Sequence, residues 1–283
     1  MPRSGIISVK TYSSTADNRI LSPAVFAFCP GSNAIDESRG TFVYDSFEKG
    51  TCTFATHIDS NGTSTISSFA STVISPGDHV LALTSGSTAN TATGAITSMP
   101  LGPIAPGGKG LWFEANVIPA SSTAAQTAFI GLTISTGLQT TAFFATESTL
   151  STGLPLVGFY MTSTTPNNVS CVYQASSGGL QTVLANVLTA STANPNPGNL
   201  QYSPFQAPGA FLSSTANAVK LGIEYQPTVN YINFFVNGYL AAQFQPTAAT
   251  FDTVDSFGAI VAIGGPNRVL YVDSMTAASQ WAL

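Results

Sequence analysis

The sequence predicts an all-β protein built as an antiparallel two-sheet sandwich. Short segments rich in aromatic and β-branched residues recur along the chain, and turn-forming residues separate them. Ser, Thr, Gly, Asn and Pro are abundant throughout, and none of them favours the interior of a helix. Asn237-Gly238 separates two of the segments. This pair is typical of a type I′ hairpin turn, which needs positive φ at both positions.

The predicted strands follow one another at short intervals, as in a sandwich or barrel. In the first of them, alternate residues from Leu111 to Val117 are apolar, whereas Trp112 and Glu114 lie on the other face. Glu224 lies on the corresponding mixed face of a later strand, so each of these two strands has one dry and one mixed face. The segments are Gly110–Ile118, Ala128–Ile134, Val157–Thr162, Val169–Gln174, Val183–Leu188, Val219–Tyr225, Tyr231–Val236, Tyr239–Phe244, Ala259–Ile263 and Val269–Asp273.

The composition excludes several classes of protein. Of 283 residues, 44% are hydrophobic but only 7% are charged, and the net charge is −5. Disordered chains and coiled coils need more charge, and a nucleic-acid-binding protein needs a basic surface. No run of 18 apolar residues occurs, so no transmembrane helix is predicted. A surface of neutral hydroxyls and amides is typical of a protein in a larger assembly or outside a cell.

Charge is concentrated in residues 1–59, and this asymmetry predicts a boundary near residues 40–60. We interpret residues 1–40 as an N-terminal arm and residues 41–283 as the sandwich. An extended arm can add a strand to the sheet of a neighbouring subunit. An equally good interpretation is that this segment supplies the first strands of the sandwich. Two segments rich in Ser, Thr, Gly and Pro, at 85–110 and 194–209, are predicted to be long loops.

Several motifs follow one another in a characteristic order. They are Trp112-Phe113, Lys220-Leu221 through Tyr225, Asn237-Gly238, Ile263-Gly264 and Val272-Asp273. This order resembles the concanavalin A-like lectin/laminin-G jelly-roll sandwich, over roughly residues 42–283. The polar uncharged residues between the motifs are most similar to sandwich domains of tailed-bacteriophage virion proteins, including capsid decoration (cement) proteins.

This resemblance implies a non-enzymatic structural protein that binds and stabilises the exterior of a phage capsid. The implied partners are the major capsid protein and further copies of the chain, as a homotrimer, assembled in the host cytoplasm; nucleic acid and membrane are not expected as partners. If the arm makes the capsid or subunit contact, its apolar residues Ile6, Ile7, Val9 and Tyr12 are the candidates.

The alternative function is a carbohydrate-binding, receptor-binding module of a phage tail or fibre. Sugar binding favours exposed aromatic rings with amides beside them. Tyr202 and Phe205, in the loop at 194–209, and Trp281 are the candidate glycan contacts.

No catalytic residue, metal site or cofactor is predicted. Glu114 and Glu224 lie mid-strand on mixed faces, and two carboxylates in one groove are what a glycosidase requires. The simpler interpretation, hydrogen-bonded strand residues, is favoured because the E-x-D-x-E pattern of one such family is absent. His57 and His79 are the only histidines and do not indicate a zinc centre.

Two further sets of residues have simple interpretations. Asp252, Asp255 and Asp273 could supply oxygen ligands for calcium, but turn capping by aspartate is favoured. The three cysteines, Cys29, Cys52 and Cys171, form no C-x-x-C pair, so free thiols are expected, with a Cys29–Cys52 bridge as the alternative.

Overall fold

The structure is a computed structural model of the chain. It describes residues 40–45, 47, 55–59, 65–70, 79–86, 92–96, 100–119, 127–134, 143–146, 149–162, 169–188, 219–247, 250–253, 255–266 and 268–281. Within these residues the secondary structure consists of β-strands, all paired antiparallel, and contains no helix. They form two large sheets and one small two-stranded sheet.

The first large sheet has eight strands. Seven follow the spatial order β15-β14-β13-β6-β17-β4-β3, and β1 also pairs with β17. Residues 269–272 of β17 pair with β4, residues 275–280 pair with β1, and the opposite edge of β17 pairs with β6. The strands are β1 (Gly40–Asp45), β3 (Thr65–Ala70), β4 (His79–Thr84), β6 (Lys109–Pro119), β13 (Val219–Gln226), β14 (Tyr231–Val236), β15 (Tyr239–Phe244) and β17 (Val269–Trp281).

The second large sheet has seven strands in the order β12-β11-β10-β7-β16-β5-β2. A separate pair, β8 (Phe144–Thr146) and β9 (Thr149–Leu150), forms the small sheet. The strands of the seven-stranded sheet are β2 (Ala55–Asp59), β5 (Ala92–Ile96), β7 (Thr127–Ile134), β10 (Leu156–Met161), β11 (Val169–Gln174), β12 (Leu180–Leu188) and β16 (Phe257–Gly264).

The main hydrophobic core lies between the two large sheets. Alternate residues of each central strand point inward and join one buried cluster. Phe159 of the seven-stranded sheet meets Phe234 of the eight-stranded sheet edge to face, with ring centroids 5.6 Å apart. Burial of this cluster is the main force holding the two sheets together.

The outer face of the seven-stranded sheet is covered by the segment that contains β8 and β9. Phe129 lies over the cross-strand glycine pair Gly131 and Gly158, where a Cβ atom on Gly158 would stand 2.7 Å from the ring. Phe143 packs on Phe129 with ring centroids 5.3 Å apart. The buried Gln174 amide donates to the carbonyls of Ser151 and Leu154, at 2.8 and 2.9 Å. This face is therefore an apolar second core.

All ten predicted strands are present: three have the predicted bounds, six differ by up to three residues at an end, and the last continues beyond Asp273 to Trp281. The turn at Asn237-Gly238 has φ of 50° and 81°, as the hairpin prediction requires. The prediction of one long loop at 85–110 is wrong, because Ala92–Ile96 forms β5 between β2 and β16. The small residues of β5 have little strand preference of their own, and pairing with β2 and β16 determines their conformation.

No helix in the described part of the chain is long and apolar enough to cross a membrane.

Candidate functional site

The outer face of the eight-stranded sheet is the face turned away from the core, and it is polar at its centre. Cross-strand register places residues of six strands in one row across this face. From β15 to β1 the row is Gln243, Asn233, Glu224, Trp112, Ala278 and Phe42. Directly opposite residues on neighbouring strands have Cβ atoms about 5 Å apart, so their side chains can interact.

A continuous hydrogen-bond chain connects four members of this row. Glu224 accepts hydrogen bonds from the Trp112 indole on Oε1 at 3.3 Å, and from the amides of Gln226 and Asn233 on Oε2 at 2.9 and 3.0 Å. Asn233 in turn accepts one from Gln243 at 2.8 Å. We call these five residues the Glu224 network. Because both oxygens of Glu224 accept N–H donors, this side chain fixes which way the Asn233 and Gln226 amides point.

The Glu224 network runs from the interior to the surface. Glu224 is 1% exposed and Asn233 7%, whereas Gln243 is an exposed residue on the edge strand β15. Gln226 and Tyr231, which pair with each other across β13 and β14, are partly exposed. The exposed end of the network therefore presents amides whose orientation a buried carboxylate has already set.

A β-bulge in β15 puts Gln243 on the outer face. If β14 and β15 paired without interruption from their two-residue turn, Ala242 would lie opposite Asn233. The register instead shifts between Phe234 and Phe235, leaving Ala241 as the extra residue, so Gln243 faces Asn233. The same shift turns Phe244 inward, where it stacks on Tyr173.

Two asparagines with positive φ hold the β13–β14–β15 meander in place. Asn230, with φ of 55°, donates to the Pro246 carbonyl at 2.7 Å and accepts from the Tyr225 hydroxyl at 3.1 Å. Asn237 donates its backbone N–H to the Lys220 carbonyl at 2.8 Å, and its side chain accepts from the Lys220 N–H at 3.0 Å. Both turns are thus tied to neighbouring strands, which makes the meander a fixed support for the Glu224 network.

Trp112 lies along the sheet instead of standing away from it. A Cβ atom on Gly110 would collide with the far edge of the indole, so the glycine provides the space in which the ring rests. Phe235, Ala278 and Phe42 complete a small apolar cluster around it. The ring is only 4% exposed, so it serves as a packed support that donates to Glu224.

The same face carries two further buried carboxylates. Glu114 lies on β6, one row from Glu224, with Gly222 directly opposite it. Asp273 is the extra residue of a bulge in β17 and accepts a hydrogen bond from Asn116 at 2.9 Å. The sequence placed Glu114 and Glu224 each on the mixed face of its own strand. The structure pairs these two strands, and the two glutamates are diagonal neighbours on one face of the sheet.

The other predicted candidates do not assemble into a site. His57 lies on β2 and His79 on β4, in different sheets. Asp255 accepts from the Ser176 hydroxyl at 2.9 Å and closes a turn onto Asp252, whereas Asp273 belongs to the eight-stranded sheet. No group of three or more acidic, histidine or cysteine side chains in the described ranges could hold a metal ion.

Several predicted contacts cannot be compared with the structure. Trp281 is the last residue of β17, where its backbone pairs with Lys109. Cys171 points into the core, and its burial raises the pKa of the thiol far above its usual value. Outside the described residues lie Ile6, Ile7, Val9, Tyr12, Tyr202, Phe205, Cys29 and Cys52, together with the arm and the predicted loop at 194–209.

Comparison with known proteins identifies the fold. No family model and no curated protein sequence matches the chain. Among solved structures, peanut lectin aligns with a TM-score of 0.52 at 12% identity, over 86% of this chain and 99% of the lectin. An endo-1,3-β-glucanase from Streptomyces sioyaensis aligns with a TM-score of 0.47 at 16% identity, over 89% of this chain and all of the enzyme. Arcelin-5, a lectin-like defence protein from Phaseolus vulgaris, aligns with a TM-score of 0.47 at 11% identity, over 86% of this chain and all of arcelin-5.

The chain therefore has an antiparallel jelly-roll sandwich fold like that of peanut lectin. At these identities the likeness concerns the fold, and a fold of this kind supports both binding and catalysis. Function has to be argued from the outer face of the eight-stranded sheet.

Proposed function

We propose that this protein is a non-catalytic carbohydrate-binding module, with its glycan site at the exposed end of the Glu224 network. The observation that supports this proposal is the hydrogen-bond chain from buried Glu224 through Asn233 to exposed Gln243. The peptide-bound peanut lectin that the chain resembles is a lectin of the same fold.

The chemistry of this end suits a hydroxyl-rich ligand. The Gln243 amide gives one N–H to Asn233 and keeps its carbonyl oxygen and second N–H for a ligand. Sugar hydroxyls both donate and accept, so they match an amide in both roles. Tyr231, partly exposed on the same face of the sheet, can cover the apolar side of a sugar ring. Because the amides are already oriented, little freedom is lost on binding.

The arrangement of the carboxylates favours binding over hydrolysis. A glycosidase needs one carboxyl group free to transfer a proton and a second free to act as base or nucleophile. Both oxygens of Glu224 already accept N–H donors, and its side chain is almost fully buried. Glu224 is thus held as a structural acceptor. We therefore expect any bound oligosaccharide to be released uncleaved.

A glycan array followed by calorimetry with the best ligand tests this proposal. Gln243→Ala should weaken binding about tenfold, since it removes hydrogen bonds worth about 1–1.5 kcal/mol. Gln181→Ala, at an exposed glutamine on the other sheet, is the matched control and should bind as the unmodified protein does. Mass spectrometry of the ligand after long incubation should find its length unchanged. An empty array, or equal loss in both variants, would contradict the proposal.

A structural role on the exterior of a virus particle is the second candidate. The observation that favours it is the uncharged side of the sandwich, where edge strands β12 and β15 carry no charged residue. A neutral surface lets many copies crowd together without mutual repulsion. The test is co-sedimentation with genome-free capsids of a tailed phage, for which a fixed ratio of bound chain is expected. Protein that stays in the supernatant would count against this candidate.

A further inference from the structure

One side of the sandwich is formed by the edge strands of both sheets. β12 is the last strand of the seven-stranded sheet and β15 the last of the eight-stranded sheet. The two strands contact each other, and the stacked rings of Tyr173 and Phe244, 4.1 Å apart and 18° from parallel, close the sandwich beneath them. This side, defined by β12 and β15, is called the β12/β15 side.

The β12/β15 side has few of the features that prevent an edge strand from pairing with a strand of another chain. Lysine, proline and inward-pointing charge normally block the pairing of edges, and neither strand contains any of them. Two large apolar residues stand exposed at the start of β15: Tyr239 is 56% exposed and Leu240 50%. On the opposite side, the edge strand β2 contains Asp59, whereas the edge strand β3 contains no charged residue.

The β12/β15 side is suited to a copy of itself. In a two-fold interface each group meets groups from the same surface, so a charge would face a like charge. Amides and hydroxyls both donate and accept, and can therefore pair with their own kind. Thr182 and Asn186, both exposed on β12, are of this type. Since the chain carries a net charge of −5, a neutral surface is where two copies approach with least repulsion.

We infer that a second copy of this chain packs on the β12/β15 side through a two-fold contact centred on Tyr239 and Leu240. β15 is the strand that meets its counterpart, because its exposed residues Tyr239 and Leu240 precede its single register shift, whereas two register shifts interrupt the pairing of β12 with β11. The contact gives a dimer and not the trimer that the sequence resemblance implies, since a two-fold contact closes after two copies. This inference does not depend on the proposed glycan site.

Sedimentation equilibrium over a wide range of protein concentrations tests the contact. The unmodified chain should reach twice its mass of 29.1 kDa. Leu240→Lys puts a charge at the centre of the contact and should yield monomer at every concentration. Val229→Lys is the matched control, because Val229 is 48% exposed but lies in the turn between β13 and β14. It should dimerise as the unmodified chain does.

Hydrogen exchange of the unmodified chain supplies a second readout that needs no variant. The amides of β15 should become more protected as the protein concentration rises, while those of β8 and β9 stay constant. The inference is overturned if the unmodified chain is a monomer or a trimer, or if its dimer survives Leu240→Lys with β15 protection independent of concentration.

Discussion

Replacing Glu224 by alanine should destabilise the fold by about 3 kcal/mol. Glu224→Ala removes the acceptor of three N–H donors: the Trp112 indole, the Asn233 amide and the Gln226 amide. Gln226 is partly exposed and can turn to water, but the other two donors are buried. Leaving a buried donor unsatisfied costs about 1–3 kcal/mol, so two of them account for the expected loss.

Urea unfolding of Glu224→Ala, Glu224→Gln and Gln181→Ala measures this effect. Glu224→Gln keeps the shape of the side chain but turns an NH2 group toward the donors. The free energy of unfolding should therefore fall by an intermediate amount, about 1–2 kcal/mol. Gln181→Ala should stay within about 0.5 kcal/mol of the unmodified chain, as exposed substitutions do. A loss below about 1 kcal/mol for Glu224→Ala would refute the reasoning, because water would then be satisfying the donors and the carboxylate would not orient the amides.

Three further outcomes follow from packing and burial. Gly158→Ala places a Cβ atom 2.5 Å from a carbonyl oxygen of the next strand and should cost about 1–3 kcal/mol in urea unfolding, whereas Gly179→Ala, with open space around it, should cost almost nothing. Burial raises the pKa of Tyr160 to about 12, compared with about 10 in the unfolded chain. The part of the stability that depends on the protonated hydroxyl is therefore fully present below pH ~10 and is lost as the pH rises toward 12. Tyr160→Phe should flatten that part of the stability–pH curve. In a variant whose other two cysteines are serine, the Cys171 thiol, buried and with a raised pKa, should react with a disulfide reagent only as the protein unfolds; rapid reaction of the native protein would contradict this.

The later strands could be predicted from the sequence because their pattern is strong. Segments such as Tyr231–Val236 combine aromatic and β-branched residues with a clear turn signal beside them. The pattern is weaker in some earlier strands: Ala55–Asp59 contains no aromatic residue, and Ala92–Ile96 consists mostly of small residues. Pairing with neighbouring strands selects their conformation, and a single sequence does not reveal that pairing.

The candidate site was predictable only in part. Alternation placed Trp112 and Glu114 on the mixed face of one strand and Glu224 on the mixed face of another, and the pairing of the two strands joins these faces. The same alternation, extended from the Asn-Gly turn, assigns Gln243 to the core face. The bulge at Ala241 reverses that assignment, because burying Phe244 against Tyr173 outweighs uninterrupted pairing. One inserted residue flips every side chain beyond it, and no local signal marks the position.

The position of β17 has a consequence for how the protein folds. In the larger sheet, β1, β4 and β6 all pair with β17, and Gly40 of β1 meets Gln280 of β17 across most of the chain. In the other sheet, β16 comes last and also lies between earlier strands. Contacts this distant in sequence slow folding. Neither sheet can close until its central strand has been synthesised, so a growing chain carries unpaired edges that expose it to aggregation.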